Sequence, residues 1–348
     1  MLLKEREQQT DGSGSSTERD RPTGLRAKRR SRRTLTLVTI AVTVVFSYIA
    51  LSGIDFSEVW SALRSCDYRW LIPALIAFGL GNVARALRWR SLFIPGRRPP
   101  PRPTLNATMI GYFYNNIMPA RAGEAARVVV LTRRSSAPPV ETVGTVVVER
   151  LYDVVAILMI FFVAEPWLPH VSWFGTAAIV AGGLALAIAA TATVLVIYGD
   201  RPVRVLLRPL SRFSTFTEER LERTVAELVH GLSGLHNWRV ALEALLWTIT
   251  AWMLSSVCTF FVMLAFHLGL PFGAALLVQV AIGLAMILPS PPAALGVFEG
   301  ATLIALRAYG VPHSTALPYA LVLHLVNFLP FILIGVALVH YNSRHPRR

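Results

Sequence analysis

The stretch Tyr114–Arg134, YNNIMPARAGEAARVVVLTRR, lies between long apolar runs yet carries Asn115, Asn116, Arg121, Glu124 and Arg127. Pro119 and Gly123 interrupt it in the middle. Proline removes a backbone donor and glycine frees the backbone, so one continuous helix is not expected here. The segment 104–134 thus divides into two arms, each shorter than the roughly 20 residues needed to cross about 30 Å of hydrocarbon. A second segment, 272–310, divides in the same way around LPSPPAALGVFEG, with Pro289 and Gly296 at the break. Irregular backbone at membrane depth is tolerated only inside protein or beside a water-filled cavity. Both segments therefore read as re-entrant helical hairpins with turns at Pro119/Gly123 and Pro289/Gly296. The pattern also allows two ordinary kinked spans per segment.

The rest of the chain supports a membrane setting. Of 348 residues, 54% are hydrophobic and 16% charged, with a mean hydropathy of +0.52. This composition points to an all-α polytopic membrane protein. Six apolar segments are long enough to span, at about 35–52, 71–93, 140–163, 174–197, 240–267 and 314–341. The net charge of +14 is concentrated beside them. Arg26, Lys28, Arg29, Arg30, Arg32 and Arg33 precede the first run, and residues 88–104, 198–213 and 342–348 are arginine-rich. That distribution points to both termini lying in the cytoplasm, and it argues against nucleic acid as a partner.

Residues 1–33 are polar and read as a disordered basic tail, residues 34–341 as the membrane domain, and 342–348 as a second cytoplasmic tail. Leu221, Val225, Leu228, Val229, Leu232 and Leu235 share one stripe of an expected amphipathic helix at about 216–236, on the cytoplasmic face or as a simple linker. The two cysteines, Cys66 and Cys258, match no metal or redox spacing.

An internal repeat connects the two broken segments. Glu124 and Glu299 are 175 positions apart, as are Leu131 and Leu306, and the same offset carries Glu149 onto His324. The expected units, about 71–163 and 240–341, are each span, hairpin, span. Their opposite orientations match the inverted-repeat plan of many secondary transporters.

The combination NNIMPARAGEAARVVVLTRR, VVVERLYD and LPSPPAALGVFEG, with RALRW at Arg85–Trp89, resembles a flippase-like membrane family. That family includes the transmembrane region of lysylphosphatidylglycerol synthases. The resemblance runs from about residue 35 to 341. It implies a polytopic inner-membrane protein that moves or handles lipids, among them aminoacylated phospholipids and lipid-linked glycans. Two departures stand out: Ala293-Ala294 replaces the usual Gly-Gly, and His324 stands where arginine is common. The synthase also needs a large soluble aminoacyl-transfer domain, so this chain is not expected to be a lysyltransferase by itself.

Ionisable groups at membrane depth cost about 2.5–3.5 kcal/mol each on insertion scales, which makes them candidates for function. Arg121, Glu124, Arg127, Glu149, Arg150, Asp153, Glu299 and His324, with Asn115 and Asn116, form the expected substrate-binding set. Arginines suit a lipid phosphate, and Arg150 is the first choice. The structural alternative is a set of internal pairs, Glu124 with Arg127 and Arg150 with Glu149 and Asp153. Arg85 and Arg88 read as snorkelling anchors. His324 either gates a proton-coupled step or is simply hydrogen-bonded. The asparagines either cap the hairpin or touch a headgroup. No catalytic constellation, metal cluster or cofactor motif emerges. The expected ligand is a membrane lipid with an anionic or phosphate-bearing headgroup, and a homo-oligomer or a lipid-enzyme partner is compatible with it. A lipid-modifying enzyme using Glu149 or Glu299 as base, or a subunit of a lipid-processing complex, remains the alternative.

Overall fold

The computed structural model describes residues 56–118, 122–165, 175, 179, 182, 183, 186, 187, 237–286 and 292–344. Spans expected at 35–52 and 174–197 and the helix expected at 216–236 therefore lie wholly or mostly outside the described residues, as do Pro119, Arg121 and Pro289. Every regular element among the described residues is helical.

A short helix, α1 (Phe56–Arg64), leads through a 3-10 turn at Tyr68–Trp70 into α2 (Leu71–Ser91). Next come α3 (Pro101–Ile117), α4 (Ala122–Arg134) and α5 (Pro139–Ala164). The second half contributes α6 (Trp238–Ala265), α7 (Phe272–Ala285), α8 (Val297–Arg307) and α9 (His313–Arg344). The starts follow from local chemistry. Proline occupies the first turn of α3 and of α5, where its missing N–H costs nothing. Asn237 caps α6 by accepting the Arg239 N–H at 3.1 Å.

Lengths sort the helices. At about 1.5 Å per residue, α3, α4, α7 and α8 fall short of the hydrocarbon thickness, whereas α2, α5, α6 and α9 exceed it. Among the described residues, three helical segments, Tyr68–Ser91, Trp238–Ala265 and His313–Tyr341, are both long and apolar enough to cross a membrane. Helix α5, at 26 residues, has the length but carries Glu141, Glu149, Arg150 and Asp153.

The contact between the halves is a seam of small side chains. On α2, Ala74, Ala77, Gly81 and Ala84 are buried, while Ile72, Ile76, Leu80 and Val83 are exposed on the opposite side. On α6 the buried row is Ala244, Thr248, Ala251, Cys258, Val262 and Ala265. Both rows advance by three, four or, once, seven residues, one face of a helix. In lipid, where apolar side chains gain nothing by leaving the solvent, small residues drive helix association by close packing. The two helices accordingly pack along most of their length.

The short helices fold back on one another, α3 on α4 and α7 on α8. Gly123 permits the first of these reversals. A β-carbon there would lie 1.9 Å from the Gly111 carbonyl oxygen. Gly296 serves the second differently, with φ +80 at the start of α8. The two breaks thus use close approach in one case and positive φ in the other.

Candidate functional site

The charged residues of the first half converge on α5. Arg88, 1% exposed, donates from Nη2 to Glu149 Oε1 at 2.7 Å and from Nη1 to Asp153 Oδ1 at 2.5 Å. Arg127, on α4, donates to the same Glu149 oxygen at 3.1 Å and lies over the Trp89 ring at 4.8 Å. Arg150 faces three carboxylates. Its Nε is 3.3 Å from Glu124, its Nη1 3.2 Å from Asp153 and its Nη2 3.5 Å from Glu149. The Trp252 indole N–H from α6 completes Asp153 at 3.2 Å. Helices α2, α4, α5 and α6 are joined by this one network.

Two expectations are corrected. Arg88 is no snorkelling anchor, because its guanidinium is turned inward onto two carboxylates. Arg85 also turns inward, donating to Ser255 Oγ at 2.9 Å. Glu124 pairs with Arg150 across helices, and Arg127 pairs with Glu149, so the expected Glu124–Arg127 pair is absent. The i, i+3 spacing that suggested it is overridden by carboxylates on a neighbouring helix.

Beside the network lies a cavity of about 450 Å³. Every element from α2 to α9 contributes to its wall. Arg85, Arg88, Glu124, Arg150 and Asp153 line it from the first half, and Asn115 and Asn116 from the end of α3. Asn115 accepts the Gly123 N–H at 2.9 Å and so caps the start of α4. Asn116 donates to the Phe328 carbonyl at 3.3 Å, reaching across to the second half. The remaining wall is mostly apolar and aromatic, with Ile157, Ile282, Met286, Phe298, Phe328 and Phe331. The 3-10 turn Pro292–Ala294 adds Ala293 and Ala294, at φ +55 and +56.

The charges do not cancel. Four arginines (85, 88, 127 and 150) meet three carboxylates (124, 149 and 153), which leaves one positive charge among the described residues of the network. Arg85 has no carboxylate within ion-pair distance among the described residues, and it faces the cavity. Glu299 and His324 form a pair of their own, 2.5 Å apart. They are buried and do not line the cavity, and no ion pair among the described residues joins them to Glu149, Arg150 or Asp153.

Arg85, Arg88, Tyr112, Ser255, Gln279 and Asn327 are polar cavity residues that the sequence reading passed over as ligands. A signal for Gln279 was present, since it is the lone polar side chain in FGAALLVQVAIGLA. It donates to Thr259 Oγ1 at 2.5 Å and to the Ser255 carbonyl at 3.2 Å.

Comparison with known proteins agrees with this architecture. The profile of the family described as the lysylphosphatidylglycerol synthase TM region matches residues 36–335. The chain belongs to that family. Within it, similarity extends to UPF0104 membrane proteins of two archaea. That of Methanocaldococcus jannaschii is 22% identical over 243 residues, covering 67% of this chain and 95% of the relative. That of Methanothermobacter thermautotrophicus is 23% identical over 325 residues, covering 86% and 95%. The glycosyltransferase AglD of Haloferax volcanii is 28% identical over 130 residues, 37% of this chain and 21% of that protein. The family assignment and the apolar helices together make this a membrane protein.

Proposed function

We propose that the protein moves a lipid with a phosphate-bearing headgroup across the plasma membrane. The observation that carries this reading is the cavity, whose lining combines a charged cluster with one surplus positive charge and a largely aromatic, apolar wall. A lipid headgroup joined to its first acyl carbons has that same distribution of charge and grease. At about 450 Å³ the space falls within the usual range for small-ligand sites and suits a headgroup, not a whole lipid. The family's description names a phospholipid, which supports a lipid as the cargo.

In this reading the two halves, α2–α5 and α6–α9, are inverted repeats, and the short pairs α3–α4 and α7–α8 are re-entrant hairpins. Six spans and cytoplasmic termini complete the topology. The helix lengths and the arginine-rich connections support it. Transport is favoured over covalent chemistry because Glu149, the carboxylate held by Arg88 and Arg127, does not line the cavity and so aims no lone pair at a bound substrate. A general base needs a free lone pair aimed at substrate.

Vesicles of phosphatidylethanolamine and phosphatidylglycerol, with a trace of fluorescent phosphatidylglycerol, test the proposal. Protein-dependent exposure of the inner-leaflet label to an impermeant quencher is the expected result, with the label chemically unchanged. Chemical conversion of the label would indicate an enzyme instead, and an unchanged leaflet distribution would overturn movement of this lipid.

A further inference from the structure

The second half holds a histidine–carboxylate pair that the cavity chemistry leaves unused. His324 Nδ1 and Glu299 Oε1 are 2.5 Å apart, and both residues are buried, at 7% and 5% exposure. The other Glu299 oxygen accepts the Gly296 N–H at 2.7 Å, at the start of α8. The imidazole packs against two rings, Phe298 at 4.9 Å and Phe328 at 4.1 Å between centroids, which also meet each other edge to face at 5.6 Å. Both rings also line the cavity.

Comparison with the first half gives this pair a meaning. The offset of 175 residues that carries Glu124 to Glu299 carries Glu149 to His324 and Arg150 to the next position. In the first half the hairpin glutamate faces Arg150, whose guanidinium keeps its proton at any physiological pH. In the second half it faces a histidine, which ordinarily titrates near pH 6.5. The hairpin glutamate thus faces a permanent cation in one repeat and, one register position away from the matching place, a removable one in the other.

The surroundings leave Glu299 as the imidazole's charged neighbour. Helix α9 packs against α1, α2, α3, α6 and α8. Among the described residues, α1, α2, α3 and α6 place no charged side chain within ion-pair distance of His324. Their nearby contacts to α9 are neutral, such as Asn116 on the Phe328 carbonyl and Tyr319 on the Thr259 carbonyl. Arg85, Arg88, Glu124, Arg150 and Asp153 face the cavity that Phe298 and Phe328 share.

We propose that the Glu299–His324 pair is a proton-binding site coupled to occupancy of the cavity, so that a proton and an anionic headgroup bind together. The inference rests on the reading of the cavity as a headgroup site. With the proton bound, imidazolium and carboxylate cancel. Without it, an uncompensated carboxylate remains behind the Phe298 and Phe328 rings and repels an anion in the cavity. Coupling of this kind is reciprocal, so the anion raises proton affinity by the same factor. The pair also holds the Gly296 N–H, so its titration reaches the turn that forms part of the cavity wall.

The test is calorimetric titration of the purified full chain with dihexanoylphosphatidylglycerol, whose phosphodiester keeps its charge throughout, between pH 5.5 and 8.5. Running it in two buffers of different ionisation heat reads the protons taken up. Wild type is expected to take up protons near neutral pH and to lose about tenfold in affinity across the range, within the usual span of coupling factors. His324→Arg should bind with pH-independent affinity and no uptake. His324→Gln should bind weakly and equally flatly, and it decides the matter if the arginine variant does not fold. Undiminished uptake in these variants, or none in a wild type that binds the lipid, overturns proton coupling and leaves the headgroup site standing. Absence of binding by wild type at every pH overturns the headgroup reading itself, and the coupling with it.

Discussion

Arg88 and Glu149 meet at 2.7 Å with both side chains 1% exposed, and this contact ties α2 to α5 in the interior of the bundle. A buried ion pair is costly to form, but removing one partner is costlier, typically about 3–5 kcal/mol, because the other charge is left uncompensated. Arg88→Ala should therefore lower stability by about that amount, read as a large fall in the thermal midpoint of the detergent-purified protein. A snorkelling arginine would behave as a surface residue and change stability by only about 0.5 kcal/mol. A midpoint within that margin would refute the inward orientation.

The reversal between α3 and α4 makes a sharper demand. Gly123→Ala places a methyl group 1.9 Å from the Gly111 carbonyl and 2.5 Å from Asn115 Oδ1. The first atom is backbone, and the second is held in place by the Gly123 N–H. The expected cost is about 3 kcal/mol or more, beyond ordinary overpacking. Gly300, inside α8, has open space where a β-carbon would go. Gly300→Ala should instead stabilise by about 0.5–1 kcal/mol through helix propensity. Chemical denaturation of the two variants side by side checks the contrast.

Ala293 and Ala294 hold φ +55 and +56, a conformation that glycine takes freely and alanine does not. The resemblance that led to the family noted Gly-Gly as usual at this place. Ala293→Gly and Ala294→Gly should each raise stability by about 0.5–1 kcal/mol, relieving local strain in the cavity wall. A lowered midpoint in both variants would show that the alanine methyl groups pack well enough to outweigh the strain.

How much of this was legible beforehand depends on what kind of signal each feature leaves. Helix type and boundaries were readable, because apolar length and first-turn prolines are local properties of the chain. The expected run 71–93 became α2 at Leu71–Ser91, and 140–163 became α5 at Pro139–Ala164. The polar cluster around Glu149 was also visible, since charges within an apolar run stand out. Its pairing was not. Arg88 looked like an end-of-span anchor because sequence reports its distance along α2 but not its direction, and direction is set by the packing of α2 against α5 and α6. Likewise, Glu124 and Arg127 are neighbours on one helix, yet each found a partner across the bundle.

Topology is open to chemistry, because Cys66 and Cys258 are both buried, at 6% and 1% exposure. Wild type should therefore show little background with an impermeant thiol reagent. Single cysteines introduced near residues 100, 205 and 345 should stay shielded in intact cells, and those near 60, 168 and 312 should label. External labelling at residue 205 would break the six-span arrangement.

The last prediction separates two arginines that share one cavity. Arg150 is held by three carboxylates at 3.2–3.5 Å, and Arg85 by the Ser255 hydroxyl alone among the described residues. Removing the Arg150 charge leaves Glu124, Glu149 and Asp153 undercompensated, so Arg150→Gln should lower both lipid movement and stability. Removing the Arg85 charge strands no partner carboxylate, and the hydroxyl it frees still donates to the Ala251 carbonyl at 2.9 Å. Arg85→Gln should therefore keep a thermal midpoint close to wild type while lipid affinity falls about tenfold or more, as for a lost charge-assisted hydrogen bond. Lysine at the same place should recover part of the affinity, because it restores the charge but not the planar fork. Calorimetric titration with the short-chain phosphatidylglycerol, run beside thermal unfolding of each variant, distinguishes these outcomes. An Arg85→Gln protein that binds the lipid as tightly as wild type would remove Arg85 as the receptor of the surplus charge and shift that role to Arg150.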